Sequence, residues 1–294
     1  MEIAATSVDQ ILSNLASQPD PRWKTLDLDR QRKQIQNELY SRAPKDAMMR
    51  VMTRIPFQEA PNLAEIDWES ELSTFETIQY PQYYLQPFHS VLGGYLSETA
   101  AVGNRIAMEA ILENAHPRKS LGVRDEIAQL FPQDARYILD LGAGIGDDAA
   151  AIARYIPSAT VTAWDASPFM IIVGRLYHQD IPNLHWKHGL VEKTELPDNS
   201  VDAVNITYLL HECPDEVKQV ILAERWRIIS PGGRLVVTDS LNRELHLYRG
   251  FFEPYKEQWL KLDPDKLLQE AGFVNIKVHQ FAHSSWTRVG EKPN

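Results

Sequence analysis

Three glycines and two acids near residue 140 form the part of this sequence whose chemistry is easiest to interpret. An apolar run contains Asp140, glycines follow as Gly142, Gly144 and Gly146, and an alanine-rich, helix-forming stretch begins at Asp147. Glycine lets a backbone turn approach a ligand closely, and the first turn of the following helix has unpaired N–H groups. We therefore expect a strand, a tight turn and a helix that together bind a nucleotide-type cofactor.

The spacing of these glycines indicates which nucleotide the turn would bind. A dinucleotide fingerprint is Gly-x-Gly-x-x-Gly, whereas here the glycines occupy every second position and Asp147 stands in the place of that pattern's third glycine. Asp140 would repel a pyrophosphate and attract an ammonium or sulfonium group. Asp165 ends the next β-prone run and can bind the two ribose hydroxyls. The pattern favours a nucleoside that carries a positive charge.

The motif and the acid after it resemble the class I S-adenosylmethionine-dependent methyltransferases, in the small-molecule branch described as type 11 or UbiE-like. Later segments resemble the family in the same order: the loop 189–202, the strand and its exit at 204–211, and the turn 230–233. The resemblance covers roughly residues 120 to 290. It implies a Rossmann-like fold, S-adenosylmethionine as cofactor and methyl transfer as the activity.

Hydrophobic periodicity divides the chain into two parts. Residues 1–118 are predicted to form a helical N-terminal extension or cap, because apolar residues recur at helical spacing in four stretches, 8–15, 27–42, 64–80 and 99–115. Residues 119–294 are predicted to form the cofactor-binding domain, in which short β-branched runs alternate with helical segments. Strands are expected near 137–141, 160–164, 184–188, 202–207 and 234–239, with a closing hairpin over 273–281 and 284–289.

These elements predict an α/β fold with a Rossmann-like, mostly parallel sheet and helices on both faces. By resemblance to the family we expect seven strands, the last of them antiparallel. An insertion at about 240–262 stands where the family places its lid.

The resemblance assigns a set of residues to the cofactor. These are Asp140, Gly142, Ala143, Gly144, Asp165, Ala166, Met170, Leu190, Val191, Asn205, Tyr84 and Tyr95. Asn205 either binds the methionyl amino group through its amide oxygen or ties down the strand end. Tyr84 and Tyr95 either contact the methionyl part or pack against the sheet.

One position departs from the family on the adenine side. The family often carries an acid directly after the glycine that follows the third strand, where it bonds the adenine amino group, but here Leu190 follows Gly189. We expect the backbone groups of Leu190 and Val191 to bind the adenine edge instead. Ala166 and Met170 are expected to form apolar walls.

His211 is the candidate catalytic base. It follows the fourth predicted strand, and ligands of open α/β sheets bind at the carboxyl ends of the strands. An imidazole, with an unperturbed pKa of about 6.5, can accept a hydroxyl or ammonium proton near neutral pH. A structural role at the end of the strand remains the alternative. Alignment of the two reacting groups can lower the reaction barrier by on the order of 7–11 kcal/mol. We therefore expect positioning to contribute more to the rate than the base does.

Aromatic residues before the predicted sheet, at the exit of its fourth strand and after its fifth strand are expected to line the acceptor pocket. The candidates are His89, Tyr208, Tyr248, Phe252, Tyr255 and Trp259. The spacing of those after residue 240 is also typical of a packed helix face, so a core role remains the alternative. The segment from Asn205 to Tyr208 lacks the two prolines found in methyltransferases of planar amino groups, and amino-adenine methylation is therefore not supported.

Composition narrows the class of protein. The net charge of −10 argues against tight nucleic-acid binding, which depends on clustered Lys and Arg. Cys213 is the single cysteine, so neither an intrachain disulfide nor a thiolate metal cluster can form, and the consecutive residues 211–213 cannot converge on one ion. No apolar run has the length of a membrane span and no signal peptide is recognised, so we expect a cytoplasmic protein.

The sequence thus predicts an enzyme that transfers a methyl group to an oxygen or nitrogen of a small molecule by in-line displacement, with no metal. Two alternatives stay open. The chain could methylate a peptide, a protein or RNA, with residues 1–118 as the recognition module, or bind S-adenosylmethionine as a partner protein without turnover. The oligomeric state does not follow from the sequence.

Overall fold

The structure is a computed structural model that describes residues 66–86, 88, 94–98, 100–102, 104, 122–240, 254–280 and 285–294. Its α-helices are α1 (Trp68–Ser73), α2 (Gly122–Ala128), α3 (Asp147–Tyr155), α4 (Pro168–Tyr177), α5 (Asp215–Ile228), α6 (Lys256–Leu260) and α7 (Pro264–Glu270). Its strands are β1 (Tyr137–Leu141), β2 (Thr160–Asp165), β3 (Leu184–His188), β4 (Val201–Thr207), β5 (Ile229–Ser240), β6 (Val274–His279) and β7 (Ser285–Glu291). A 3₁₀ turn spans Leu210–Glu212. None of the helices in these ranges is long and apolar enough to cross a membrane.

The strands of the described ranges form one seven-stranded sheet in the order β3-β2-β1-β4-β5-β7-β6. Neighbouring strands from β3 to β5 are parallel, whereas β7 is antiparallel to both β5 and β6. The chain moves outward from β1 to β3 and then returns to place β4 on the other side of β1. Ligands of open α/β sheets bind at such a switch point. The predicted Rossmann-like fold is confirmed.

Alternating side chains of the central strands bury both faces of the sheet, as a parallel sheet requires. Ile138 of β1 packs with α2 and α3, whereas its neighbours Leu139 and Leu141 pack with α5 and α7. A third cluster joins α1 to α4 around Phe169. The cofactor turn, which lies between β1 and α3, is therefore held by packed elements on both sides.

Strand β5 begins earlier than predicted, and its pairing with β4 is irregular. Val201 pairs with Ile229, the next pair is Ala203 with Arg234, and the register shifts between them. The intervening residues include Gly232, whose φ is 75°. The predicted turn before the fifth strand thus lies inside the strand, which begins at Ile229 rather than near residue 234.

The described stretch 66–80 is less helical than predicted. Within it, only Trp68–Ser73 is an α-helix, begun by the Asp67 side chain, which accepts a hydrogen bond from the Ser70 N–H. The helix prediction for 74–80 is wrong: this stretch contains the β-branched Thr74 and Thr77 and leads to Tyr80, whose side chain is fully buried. The stretches 8–15 and 27–42, most of 99–115 and the boundary at 118 lie outside the described residues.

Candidate active site

The turn after β1 exposes its backbone to open space. The Gly142 and Ala143 N–H groups donate to the Trp164 carbonyl of β2, at 2.9 and 3.2 Å. Gly144 has a φ of 56°, which favours glycine, and a Cβ atom added there would have no neighbour within 4 Å. A ligand can therefore contact the backbone at Gly144 directly.

Gly146 has a different role from Gly144. A Cβ atom at Gly146 would overlap the indole of Trp186, and so would one at Gly174 of α4. Trp186 belongs to β3 and its side chain packs against the backbone at both glycines. The third glycine of the motif is thus required for packing, and it is not among the residues that the resemblance assigns to the cofactor.

Asp165 ends β2 beside the turn. Its carboxylate accepts a hydrogen bond from the Gly144 N–H and another from the Ser167 N–H, each at 2.7 Å. Burial raises the pKa of Asp165 to about 6, although these backbone donors favour the charged form. Each carboxylate oxygen can accept more than one hydrogen bond, so the ribose role predicted for Asp165 remains compatible with these contacts.

Asp140 lies deeper, between the turn and β4. Its two oxygens accept hydrogen bonds from the Ala149 N–H at 3.0 Å and from Asn205 Nδ2 at 2.8 Å. Burial, and next the nearby Asp148 carboxylate, raise the pKa of Asp140 to about 7. Asn205 Nδ2 also donates to Thr207 Oγ1 at 3.0 Å. Asn205 Oδ1 is buried and has no hydrogen-bond partner within the described part of the chain.

His211 is oriented by Asp239 at the exits of β4 and β5. The ring Nδ1 lies 2.7 Å from Asp239 Oδ1, and the His211 backbone N–H donates to Asp239 Oδ2 at 3.3 Å. Because Nδ1 must carry a hydrogen to bond the carboxylate, Nε2 of the neutral ring is the proton acceptor. Asp239 was missed by the sequence reasoning: it lies 28 residues after His211 and comes close only because β4 and β5 are adjacent.

Two further groups surround the His211 ring. Glu212 Oε1 lies 3.7 Å from Nε2 and accepts a hydrogen bond from the Tyr95 hydroxyl. The ring of Trp259 lies 6.1 Å from the imidazole, centroid to centroid, with an angle of 58° between the two ring planes.

Burial raises the pKa of the Cys213 thiol well above its usual range, which disfavours a thiolate. In the ranges that the structure describes, no group of three or more His, Cys, Asp or Glu side chains could hold a metal ion.

Comparison with known proteins identifies this arrangement. A family model described as a methyltransferase domain matches residues 138–233, which begin in β1 and include the glycine turn and His211. This match and the seven-stranded fold support a class I S-adenosylmethionine-dependent methyltransferase. Demethylmenaquinone methyltransferase of Staphylococcus aureus is 28% identical to this methyltransferase in an alignment of 170 residues, and the alignment covers 49% of this chain and 70% of the relative.

Solved structures share the fold of the methyltransferase. Human N-acetylserotonin methyltransferase, solved in complex with SAM, has a TM-score of 0.55 at 18% identity, covering 87% of this chain and 69% of that chain. An O-methyltransferase family protein from Burkholderia thailandensis has a TM-score of 0.50 at 18% identity, covering 67% of this chain and 63% of that one. The methyltransferase therefore spans less than two thirds of the Burkholderia protein. Identities this low support the shared fold alone.

The residues at the switch point fit S-adenosylmethionine, the cofactor of the methyltransferase. When bound, this cofactor supplies a methyl group on a positively charged sulfur. The open backbone at Gly144, the unpaired acceptor of Asn205 and the two buried acids Asp140 and Asp165 suit a ligand with cationic groups and hydroxyl donors.

The adenine side of the site differs from the expectation in one respect. Leu190 is half-buried and Val191 is buried, but the Val191 carbonyl already accepts a hydrogen bond from Arg225. The predicted apolar walls, Ala166 and Met170, are both buried. The Ala166 carbonyl accepts a hydrogen bond from the Tyr80 hydroxyl at 2.9 Å, which joins the N-terminal segment to this side of the site.

The two tyrosines predicted to contact the cofactor lie over the strand ends. Tyr84 stacks on Tyr80 with ring centroids 5.4 Å apart, and its ring centroid lies 6.4 Å from that of Tyr95. Burial and then the Asp165 charge raise the pKa of the Tyr84 phenol. The Tyr95 carbonyl accepts a hydrogen bond from Ser167 Oγ at 2.7 Å. Both rings are thus fixed close to the turn after β2.

The predicted acceptor residues fall into three groups. Tyr208 has a φ of 53° and its hydroxyl is hydrogen-bonded to Ser285, while burial raises its pKa to about 12. Trp259 is 1% exposed and stacks on Trp286, with ring centroids 5.7 Å apart, so it packs in the core. The half-buried Tyr255 packs against the same core. Three candidates lie outside the described residues: His89, Tyr248 and Phe252.

Proposed function

We propose that this methyltransferase transfers a methyl group to an oxygen or nitrogen atom of a small molecule, with His211 as the general base. The observation that carries the proposal is the contact between His211 Nδ1 and the buried Asp239 carboxylate at 2.7 Å. It leaves Nε2 as the proton acceptor at the carboxyl ends of β4 and β5, beside the cofactor turn.

The chemistry required of the protein follows from these contacts. An O–H or N–H group of the acceptor would donate to His211 Nε2, and Nε2 would take that proton when the acceptor receives the methyl group. The carbon–sulfur bond would break in the same step, and the sulfonium would leave as a neutral thioether. Asp239 stabilises the imidazolium that forms. Aromatic side chains such as Tyr84 exclude water, and their faces attract a sulfonium by about 0.5–2 kcal/mol.

A small acceptor is favoured by the charge of the chain and by the covering of the site. Buried acids Asp140, Asp165 and Asp239 lie at the strand ends and the chain has a net charge of −10, which disfavours a polyanion such as RNA. The described residues between 66 and 104 cover the same strand ends, and we assign them to a cap over the acceptor. The Staphylococcus aureus relative is named for a small acceptor, demethylmenaquinone.

We infer a cytoplasmic location from the single cysteine.

Transfer of a labelled methyl group tests this proposal against the alternatives. The purified protein, tritiated S-adenosylmethionine and an extract of the cells that carry the gene are incubated, and label is counted in the small-molecule filtrate, the protein and the RNA. We expect label in the filtrate, reduced about a hundredfold or more by His211→Gln. Label in protein or RNA overturns the small-molecule acceptor, and label that is insensitive to His211→Gln overturns the base. Cofactor binding by calorimetry without label in any fraction supports a partner protein.

A further inference from the structure

Both ring nitrogens of His211 face a carboxylate. Asp239 Oδ1 lies 2.7 Å from Nδ1, and Glu212 Oε1 lies 3.7 Å from Nε2, on the opposite side of the ring. Both acids are more than nine-tenths buried, with side chains 0% and 8% exposed. Asp239 is needed to set the tautomer, but a second carboxylate is not. The position of Glu212 therefore requires another explanation.

Glu212 is held in this position by the fold. It ends the 3₁₀ turn Leu210–Glu212, and its backbone N–H donates to the Leu209 carbonyl at 3.1 Å. Its Oε1 accepts a hydrogen bond from the Tyr95 hydroxyl. Tyr95 is itself fixed, because its carbonyl accepts from Ser167 Oγ at 2.7 Å. The carboxylate is thus tied to the N-terminal segment and to the turn after β2.

The effect of this carboxylate differs between the two forms of the imidazole. In the neutral ring the Nε2 lone pair faces a negative oxygen, which is unfavourable. In the imidazolium, Nε2 carries a hydrogen and positive charge is spread over the ring, so the same oxygen attracts it. An interaction that strengthens as the proton is transferred lowers the barrier of the reaction.

We propose that Glu212, fixed by Tyr95, is a positioning residue that stabilises the His211 imidazolium formed when the acceptor's proton is removed. This inference rests on the proposed role of His211 as base. It deepens that role by naming the acceptor class: a more basic imidazole suits a weakly acidic hydroxyl, such as that of a phenol.

The charges described around the pair are mainly negative and favour the imidazolium. Among the described residues, the titratable groups that act on the pair or on the residues beside it include Asp239, Asp165, Glu192, Cys213, Tyr84, Tyr95, Tyr208 and Lys218. Burial raises the pKa of the Cys213, Tyr84 and Tyr208 side chains, so these groups are neutral near pH 7. Lys218 is bonded to Asp215 at 2.6 Å.

Proton titration of His211 by NMR tests the inference without any acceptor. The nine histidines are labelled in the ring, and the His211 signal is assigned as the one that is missing from His211→Gln. We expect Glu212→Gln to lower the pKa of His211 by about one to three units, the shift typical of losing an adjacent opposite charge. Tyr95→Phe should lower it by less, because the carboxylate remains but is no longer fixed.

The controls separate this inference from the proposed function. Calorimetry with S-adenosylhomocysteine should give the same affinity for Glu212→Gln as for the parent, which shows that the cofactor site is intact. A His211 pKa within 0.3 of the parent value overturns the role of Glu212 even if methyl transfer is found, and a lowered pKa supports it even if no acceptor is found. Should Glu212→Gln not fold, Tyr95→Phe decides: a lowered pKa supports the inference and an unchanged one overturns it.

Discussion

The indole of Trp186 occupies the space in front of the α-carbon of Gly146, where any larger residue would place its Cβ atom. Two positions earlier, Gly144 faces open space. Two glycines of one short motif are thus needed for different physical reasons. Gly146 permits β3 to pack closely against the turn, and Gly144 leaves the backbone accessible to a ligand.

Substituting these two glycines should have different consequences for stability and for cofactor binding. Gly144→Ala is expected to reduce the free energy of unfolding by about 1–2 kcal/mol, the cost of a left-handed φ for alanine, while weakening S-adenosylhomocysteine binding by about tenfold or more. Gly146→Ala adds overlap with Trp186 and should reduce the free energy of unfolding by about 2–5 kcal/mol. Urea unfolding and calorimetry measure both quantities. Equal stability losses in the two variants would contradict the separate roles.

Replacing Asp239 by asparagine should reduce turnover with little effect on the fold. The asparagine amide can donate to Nδ1 of His211, which would place the ring hydrogen on Nε2 and remove the proton acceptor. We expect kcat to fall by about a hundredfold or more, with KM for the cofactor within about threefold of the parent. The assay uses the acceptor identified by methyl labelling. Asp180→Asn, at a side chain 71% exposed, is the matched control. A kcat of Asp239→Asn equal to that of the control would contradict the dyad.

The sequence predicted what depends on local pattern and left out what depends on contacts between distant segments. The strands containing Asp140 and Asp165 were expected within a residue or two of their observed bounds, because β-branched runs and glycine turns are local signals. The partner of His211 could not be predicted, since Asp239 is an ordinary acid in the sequence and becomes a partner only through strand pairing. The contact from Tyr95 to Glu212 spans 117 residues and had no sequence signal.

Cofactor affinity should increase with pH between about 5.5 and 8. The pKa of Asp165 is raised to about 6 and that of Asp140 to about 7, chiefly by burial, so both are partly protonated in this window. Because the pKa of both acids is higher in the folded protein than in the unfolded chain, their contribution to the stability of the free protein is greatest below the unfolded pKa. This contribution is lost as the pH rises through about 6 and 7. A cation favours the ionised acids, so S-adenosylmethionine should bind about tenfold or more tightly at pH 8 than at pH 5.5.

The uncharged sulfur of S-adenosylhomocysteine provides the control for this pH effect. Its affinity should depend less on pH, and Asp140→Asn should flatten the curve for S-adenosylmethionine. Calorimetry in two buffers of different ionisation enthalpy measures the proton release directly. An affinity for S-adenosylmethionine that is constant across the window would show that neither acid is linked to the cofactor's charge.

Tyr83 should anchor the N-terminal segment to the loop after β3. Its hydroxyl donates to the buried Glu192 carboxylate at 2.5 Å, across 109 residues of sequence. Tyr83→Phe leaves that carboxylate without this donor and should lower the free energy of unfolding by about 1–3 kcal/mol. Tyr155→Phe, at a residue 41% exposed, should change it by less than about 0.5 kcal/mol. Hydrogen exchange over 66–86 should accelerate in Tyr83→Phe alone, and equal exchange in both variants would mean that this hydrogen bond does not hold the segment.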